Sequence, residues 1–423
     1  MNDEHRENRS GVPMSTLLAL MLAVFTVSLG FGVVLPLLPG FIESLLKLRG
    51  GTGATALHTG LLTSTYVLAL FLFAPVWGRV SDRYGRRSII VLGVLGFAGS
   101  MLVFSFVRSL PAFYAERFLS GVFAAAVTPV ASAVIGDLAA TDEARGRRLT
   151  MISVAGIVGF LVGPMLGLFI ARIGPGLSQA AGPAGLLAKP LTATALLALL
   201  VAAAIALAIP GASHLAVNRL KAVAATGSGR MVFRLLLLAF IVSAAVGVFE
   251  VGLALRGKQE LGLNAGQIAL MFTECSVVMI VVQAIVFSPI VKSASTRLLI
   301  TPALALLAIG LFLVPRASSF TLMLVVIGVV AASAGILLPI MTYWISTKAG
   351  NAQGAELGKQ TSAASLGSAL GSAAGGLLFD APFPGASFVL AAGVTVIGIG
   401  LSWGLARLLA RQESPSRIDR FAQ

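Results

Sequence analysis

Ionisable residues inside long apolar stretches are the groups of this sequence best suited to chemistry. Glu274 lies in "LMFTECSVVMIVV", Glu250 in "VGVFEVGLAL" and Arg117 in "ERFLSGVFAA". A charged side chain near the centre of a bilayer costs about 2.5–3.5 kcal/mol on insertion scales, so such groups are seldom kept without a role. A carboxyl group in that setting can bind and release protons, and an arginine can tune a nearby carboxylate or bind a ligand.

Structural roles remain open for each of these three residues. Glu274 can be a protonated glutamic acid hydrogen-bonded to another helix, and Glu250 can lie at the membrane interface or pair with Arg256. Arg117 can be satisfied by backbone carbonyls. Glu116 precedes Arg117 in the chain, and because adjacent residues do not share a helix face we expect no direct pairing between them. Arg117 is then expected to face the protein interior.

The sequence has no pattern that indicates metal, nucleotide or disulfide chemistry. The histidines, His5, His58 and His214, lie outside the apolar stretches or at their edges, and no Cys/His cluster suggests a metal site. "GSGR" and "GPAG" lack the Lys-Ser/Thr of a phosphate-binding loop, so we do not expect ATP to drive this chain. The single cysteine, Cys275, excludes an intramolecular disulfide. We therefore expect no cofactor and no metal.

The composition predicts that these residues are positioned by membrane-spanning helices. Of the 423 residues, 57% are hydrophobic and only 11% are charged, and the mean hydropathy is +0.97. The apolar runs are long and do not alternate, which favours helices over a β-barrel. The net charge of +14 does not indicate a nucleic-acid partner, because basic residues collect in the cytoplasmic loops of membrane proteins.

The pattern predicts an all-α polytopic protein with twelve spans in two six-helix bundles. The eleventh span, rich in Gly, Ala and Ser, is the least clearly marked. We predict a cytoplasmic tail over 1–14, a bundle over 15–210, a cytoplasmic loop over 211–230, a second bundle over 231–411 and a cytoplasmic tail over 412–423. The predicted spans are 16–38, 58–79, 88–107, 111–136, 149–171, 190–209, 231–254, 265–288, 297–315, 319–345, 355–379 and 385–409.

The distribution of Lys and Arg sets the expected orientation. With both termini inside, 20 of the 30 basic residues fall in cytoplasmic segments and 8 in outer loops. This bias follows the positive-inside rule. The polar start lacks a small-residue cleavage site before the first apolar run, so we expect a retained first span.

Residues 78–87, "GRVSDRYGRR", form a compact charged segment between spans two and three. Gly78 would allow close helix approach and Gly85 a sharp turn. Asp82 can pair with a neighbouring arginine or cap a helix, and Asp137 at the end of span four is a candidate partner. Such a cluster can latch helix bundles, or it can serve only as a topological anchor. The arginines concerned are Arg83, Arg86 and Arg87.

Matching patterns in the two halves indicate an internal repeat. Gly159, Gly163 and Gly167 in span five recur as Gly367, Gly371 and Gly375 in span eleven, 208 positions later. The charged segment has a counterpart, "SPIVKSASTR" over 288–297, with Lys292 in place of the aspartate. The glycine stripe and Pro164 predict a bent helix that packs against span eight or eleven, although ordinary helix packing would also use them.

The charged segment resembles the loop signature of the major facilitator superfamily, and the resemblance extends over residues 14–411. "RFLSGVFAA" resembles the Arg-containing motif of helix four, with Arg117 and Gly121 in place. "GIVGFLVGPMLG", with Gly163 and Pro164, resembles the helix-five motif of drug:proton antiporters. "GFGVVLPLLPGF" resembles helix one of tetracycline-type exporters, but Val27 stands where those exporters often carry an aspartate.

The resemblance implies a secondary active transporter in a bacterial inner membrane. It implies export of a small amphipathic molecule in exchange for protons, by rocker-switch alternating access. Its partners would be the small-molecule substrate, protons and the bilayer, and we expect a monomer. The substrate would bind in a mid-depth cavity between the halves. Its lining would consist of Phe31, Tyr66, Phe123, Met271, Phe272, Tyr343 and Trp344. For each of these residues, core packing or lipid contact is the alternative.

Two other functions stay open at this point. One is proton-coupled uptake of a nutrient or an organic acid. The other is a non-transporting role in signalling or assembly, which the absence of an acidic residue at Val27 favours slightly. A single metabolite, such as a siderophore, is a further possibility among exported substrates.

Overall fold

Helices make up the regular secondary structure of the computed structural model. It describes residues 13–47, 54–107, 109–138, 142–172, 184–208, 229–286, 293–348 and 353–411. Within these ranges no β-strand occurs. The long apolar runs therefore fold as helices, as their lack of alternation predicts.

The first eight helices are α1 Met14–Val34, α2 Leu38–Lys47, α3 Thr55–Tyr84, α4 Arg86–Phe104, α5 Leu110–Ala124, α6 Thr128–Leu138, α7 Asp142–Arg172 and α8 Ala184–Ala208. The later helices are α9 Gly229–Leu255, α10 Ala265–Val286, α11 Ile300–Leu313, α12 Phe320–Lys348, α13 Gln353–Leu377, α14 Ala386–Ser402 and α15 Leu405–Arg411. A π-helical turn covers Arg256–Glu260, and short 3-10 helices cover Ser293–Leu299 and Val314–Arg316.

Ten helical segments of the described chain are long and apolar enough to cross a membrane. An eleventh, α14, is apolar but has only 17 residues. The long helix α13 occupies the predicted eleventh span, but its Gly, Ser and Ala content keeps its hydropathy below that of the ten. The chain is thus a multi-pass membrane protein, and the total of twelve spans stays a prediction.

Three predicted spans are interrupted. The first span breaks between α1 and α2 at Pro36, which has no backbone N–H to continue the helix. The fourth breaks over 125–127, just before Pro129 in the first turn of α6. The twelfth breaks at Gly404, which has φ +74° and lies between α14 and α15. Each break coincides with a residue that cannot continue, or readily leaves, helical geometry.

The chain divides into two compact units. The first comprises residues 1–219 and 254–276, and the second comprises 220–253 and 277–423. In the first unit, α1 packs on α7, α4 on α8 and α3 on α5. In the second unit, α11 packs on α12 and α14, and the Thr301 hydroxyl lies 3.0 Å from the Ser402 hydroxyl.

The glycine stripes make equivalent contacts within each unit. A Cβ on Gly163 of α7 would stand 2.7 Å from the Leu29 carbonyl oxygen of α1. In the second unit Gly371 of α13 lies against the Ala244 carbonyl of α9 in the same way. The two contacts are equivalent in the repeat: Gly371 follows Gly163 by 208 positions, and Ala244 follows Leu29 by 215. The internal repeat is therefore present in packing as well as in sequence.

The glycine stripe of the Gly-Pro helix has a partner that the sequence pattern did not suggest. The pattern suggested span eight or eleven for this helix, whereas within the first unit the glycines of α7 lie against α1. Gly159 meets the Phe25 backbone and Gly167 meets Val33. Gly32 on α1 completes the fit because it has no side chain. A Cβ there would stand 2.8 Å from the Phe160 carbonyl oxygen and 3.3 Å from Pro164. The repeat spacing indicated close contact but carried no information about which helix supplies the other surface.

Large apolar side chains remain exposed along the outer faces of the helices. In a soluble protein such surfaces would mark binding or aggregation sites, but in a bilayer they face lipid. They accordingly support a membrane-embedded fold. Examples are Leu18, Leu72, Leu92, Phe169, Leu200, Leu207, Phe233, Ile309, Val325 and Ile397.

Candidate functional site

A charge cluster lies at the turn between α3 and α4. Arg86 on α4 donates through Nε to Asp137 Oδ2 at 3.0 Å and lies with Nη1 2.6 Å from Asp82 Oδ1. Its Nη1 also donates to Ser81 Oγ at 2.6 Å. The predicted pairing of Asp137 with an arginine of this segment is therefore present, and one guanidinium bridges carboxylates from α3 and α6.

Gly85 makes the turn that brings these groups together. It has φ +94° and ψ 138°, and it both ends α3 and precedes α4. Such a backbone conformation is open mainly to glycine. Gly78 does not have its predicted role, because no heavy atom of the described residues lies within 4 Å of where its Cβ would stand. Its carbonyl instead accepts a hydrogen bond from Ser81 at 2.7 Å.

Two of the arginines do not join the cluster. Arg87 donates to the Ala206 carbonyl near the end of α8, where a cation is favoured by the helix dipole. Arg83 lies 5.6 Å from the ring centroid of Tyr84 and is exposed. The counterpart in the other half cannot be compared directly, because residues 287–292, including Lys292, lie outside the described residues.

Glu116 and Arg117 form a buried ion pair, contrary to the expectation that adjacent residues do not pair. Arg117 donates through Nε to Glu116 Oε2 at 2.9 Å and through Nη2 to Oε1 at 3.3 Å. The two side chains are 1% and 3% exposed, respectively. Their long side chains reach across the angle that separates successive Cβ atoms, which the helix-face argument did not consider. The Arg117 guanidinium also lies over the rings of Phe104 at 4.6 Å and Tyr66 at 5.5 Å.

Four rings of the first unit form a continuous aromatic stack. Phe31 of α1 stacks on Tyr66 of α3 with centroids 5.2 Å apart, and on Phe160 of α7 at 5.9 Å. Phe160 in turn meets Phe272 of α10 edge-on at 6.4 Å. Tyr66 and Phe272 are buried, whereas Phe31 and Phe160 keep part of their surface exposed. The sequence predicted three members and missed Phe160, whose signal was an aromatic ring within the Gly-Pro stretch.

Glu274 follows Phe272 by two residues on α10 and is half-buried. Its Oε2 is inaccessible and has no hydrogen-bond partner among the described residues. Neighbouring Met271 is fully buried. Gln267, near the helix start, exchanges hydrogen bonds of 3.0 Å with Asn264 and caps the helix. Glu274 is thus the ionisable group on α10 with unused hydrogen-bonding capacity.

Glu250 lies on α9 in the second unit and is half-buried. Arg256, its suggested partner, forms an ion pair with Glu260 across the π-helical turn. Short π-helical segments are rare and frequently occur at functional sites. Arg256 thus has Glu260 as a local partner, and the proposed role of Glu250 in proton coupling stays a prediction.

Three predicted cavity residues have packing contacts within their own units, and their place in a cavity stays a prediction. The Phe123 ring fills the space above Gly96 on α4, so helix packing accounts for it. Trp344 is completely buried and donates to Thr296 Oγ1 at 3.1 Å. It lies four residues before the last residue of α12, about 6 Å along the helix axis. Tyr343 packs edge-on against it at 5.4 Å.

The described residues contain no group of three or more His, Cys, Asp or Glu side chains able to hold a metal ion. What the first unit offers is an aromatic surface flanked by ionisable groups. Such a surface can bind planar apolar molecules and can bind or release protons nearby.

These features define a polytopic membrane protein with repeated helical halves, a charged turn and an aromatic site. The sequence model of the Major Facilitator Superfamily matches residues 20–214 and 235–421, and the chain belongs to this family. It is a membrane transporter and not an enzyme.

Relatives of known name match almost the whole chain. Multidrug resistance protein 2 of Bacillus subtilis (strain 168) is 29% identical over 387 residues, which cover 90% of this chain and 93% of that protein. The quinolone resistance protein NorA of Staphylococcus aureus (strain MSSA476) is 24% identical over 383 residues, 90% of this chain and 94% of the relative. A solved D-xylose-proton symporter, 16% identical with TM-score 0.73, covers 92% of this chain and 97% of its own, and it shares the fold.

Proposed function

We propose that the chain exports small amphipathic molecules, drugs or a metabolite such as a siderophore, in exchange for protons. The proposed location is a bacterial inner membrane with both termini cytoplasmic, and the proposed unit is the monomer. The proton gradient would supply the energy for alternating access, so the proposed mechanism uses no cofactor. Relatives named for multidrug and quinolone resistance support export. They do not favour uptake or a non-transporting role.

The observation that carries this proposal is the aromatic stack next to Glu274. Phe31 and Phe160 present partly exposed rings from two helices, and planar drugs bind such rings by stacking. Rings tolerate many substituents, because stacking needs no fixed hydrogen-bond pattern. This property suits a transporter of chemically different substrates better than a site built for one polar molecule.

Glu274 supplies the link to protons in this proposal. Its buried Oε2 has no hydrogen-bond partner among the described residues, so it is free to take a proton. When ionised, the carboxylate attracts a cationic substrate; when protonated, it does not. Because the two ligands oppose each other at one group, binding of one promotes release of the other. Opposed binding of this kind is what exchange transport requires.

The test uses purified protein in proteoliposomes with an imposed pH gradient. Ethidium, a fluorescent aromatic cation, and norfloxacin, a quinolone, serve as probes. We expect proton-driven transport by the wild type, loss of it in Glu274→Gln, and near-normal expression of that variant. Glu356→Gln is the matched control, since Glu356 accepts a hydrogen bond from Lys359 at 2.8 Å on α13. Wild-type vesicles that move neither probe in response to the gradient would overturn the proposal.

A further inference from the structure

The Glu116–Arg117 pair is the strongest unexplained feature of the first unit. Both side chains are almost fully buried in an apolar helix bundle. A buried ion pair gives little or no net stability over an apolar pair of the same size, since both charges lose their hydration. Helix one has no acidic residue, since Val27 stands where similar exporters often carry an aspartate. Stability alone therefore does not explain why α5 carries a carboxylate and a guanidinium side by side.

We propose that Glu116 is a second proton-binding group, and that its protonation leaves the charge of Arg117 uncompensated beside the aromatic stack. This inference rests on the proposed proton-coupled export. With Glu116 ionised, the pair is neutral. When a proton binds to a carboxylate oxygen, the ion pair is lost and the site gains one positive charge, with no other bond made or broken.

The surroundings of Arg117 make both states accessible. The guanidinium lies over the faces of Phe104 and Tyr66, and aromatic faces attract cations. Arg117 therefore keeps a favourable environment when Glu116 is neutral. Ser120, one turn further along α5, donates to the Arg117 carbonyl at 3.1 Å.

Most of the charged and titratable groups on the helices packed against α5 have contacts of their own. On α3, Tyr66 faces Arg117, and His58 lies 2.9 Å from Tyr114 of α5. Also on α3, Asp82 pairs with Arg86, Arg83 lies beside Tyr84, and Arg79 belongs to the same charged segment. On α4, Arg86 and Arg87 bind Asp137 and the Ala206 carbonyl. Arg117 is thus the charged partner of Glu116 among the described residues.

The position of the pair connects it to substrate. Tyr66, which Arg117 contacts, is the first ring of the aromatic stack. A net positive charge at that end repels a cationic substrate, while a neutral pair admits it. Proton binding at Glu116 and cation binding at the stack therefore oppose each other. The N-terminal half of the chain would in this way contain a coupling group on α5 in place of an acidic residue on helix one.

Binding measurements on purified protein test the proposal. Ethidium affinity and proton release on ethidium binding, followed with a pH-indicator dye, are measured between pH 5.5 and 8.5. We expect Glu116→Gln to bind ethidium about tenfold more weakly at pH 8.5, within the usual range of coupling, and to release fewer protons. Binding of uncharged chloramphenicol should change little. Glu116→Asp keeps the carboxylate and should retain the pH dependence.

A double variant keeps the test decisive if Glu116→Gln folds poorly. Glu116→Gln with Arg117→Gln removes both charges, so no uncompensated charge remains buried. It should recover ethidium affinity at pH 8.5 but not proton release. Wild-type proton release in either variant, together with its loss in Glu274→Gln, would overturn the role of Glu116 and leave proton-coupled export standing. A wild-type protein that releases no protons would overturn the export proposal itself.

Discussion

Gly163 of α7 lies so close to Leu29 of α1 that a Cβ on the glycine would stand 2.7 Å from the leucine carbonyl oxygen. The neighbouring atoms are backbone, including Gly32 at 2.9 Å, and cannot move aside like the end of a side chain. We expect Gly163→Ala to destabilise the protein by about 1–3 kcal/mol, as overpacking usually does. A lower melting temperature in detergent, read by fluorescence-detected size-exclusion chromatography, would show this.

Gly78→Ala is the matched control for that substitution. It makes the same chemical change in a helix, but among the described residues nothing lies within 4 Å of the new methyl group. Its melting temperature should equal or slightly exceed that of the wild type, because alanine favours helix more than glycine does. Equal losses in both variants would contradict the packing argument.

Arg86 bridges Asp82 and Asp137, which are 60% and 40% exposed. Exposed ion pairs contribute only about 0–1 kcal/mol each, so the cluster can open readily. We expect Arg86→Gln to lower the ethidium turnover rate up to tenfold with little change in KM, since the cluster does not belong to the aromatic stack. Initial rates in proteoliposomes measure both quantities.

Arg83→Gln provides the comparison for the cluster. Arg83 belongs to the same segment but contacts only the neighbouring Tyr84 ring among the contacts described above. Wild-type kinetics are expected for it. If Arg86→Gln also turned over at the wild-type rate, the cluster would serve as an anchor and not as a latch.

Phe160 joins Phe31 to Phe272 in the aromatic stack. An aromatic pair is worth about 0.5–1.5 kcal/mol beyond its buried area, so Phe160→Leu should raise the ethidium KM by about twofold to tenfold. Phe169→Leu is the control on the same helix, because that ring is 63% exposed and is not part of the aromatic stack. A change of equal size in both variants would argue that lipid contact, and not substrate binding, explains the effect.

Cysteine labelling tests the orientation of the helices. In a Cys275→Ser background, Tyr84→Cys and Pro384→Cys introduce thiols at exposed positions. A membrane-impermeant maleimide should label Pro384→Cys in intact cells, and Tyr84→Cys only after the membrane is permeabilised. The reverse pattern would place the charge cluster outside and contradict the positive-inside assignment.

Local patterns predicted the parts of the fold that local physics determines. Gly85 was expected to form a turn because its sequence context places it between two apolar spans, and its φ of +94° agrees. The contact of Asp137 with Arg86 followed from opposite charges at the ends of consecutive spans. The helix partner of Gly163 could not be predicted in this way, because a stripe of small residues describes one surface and not its complement.

The candidate site shows the same division between local and long-range information. Tyr66, Phe31 and Phe272 were identified as aromatic residues of suitable spans, but only tertiary packing shows that Phe160 connects them. Trp344 met the same criterion, and its hydrogen bond to Thr296, 48 positions away in the chain, was likewise visible only in the tertiary packing. Residue type predicted what each side chain can do, and long-range contacts decided where it does so.

The register of the two glycine contacts shows which part of the repeat the two halves have in common. Gly32 meets Phe160 and Pro164, while Gly247 meets the residues 208 positions later, Ser368 and Ser372. The stretch of chain between the two contacts is seven residues shorter in the second half, so the two crossings keep the same register although the chain that joins them differs in length. Ser372 stands where the first half has Pro164, and its hydroxyl is buried without a hydrogen-bond partner among the described residues. The glycines are therefore what the two crossings share, whereas the residue beside them and the length of the connecting chain differ.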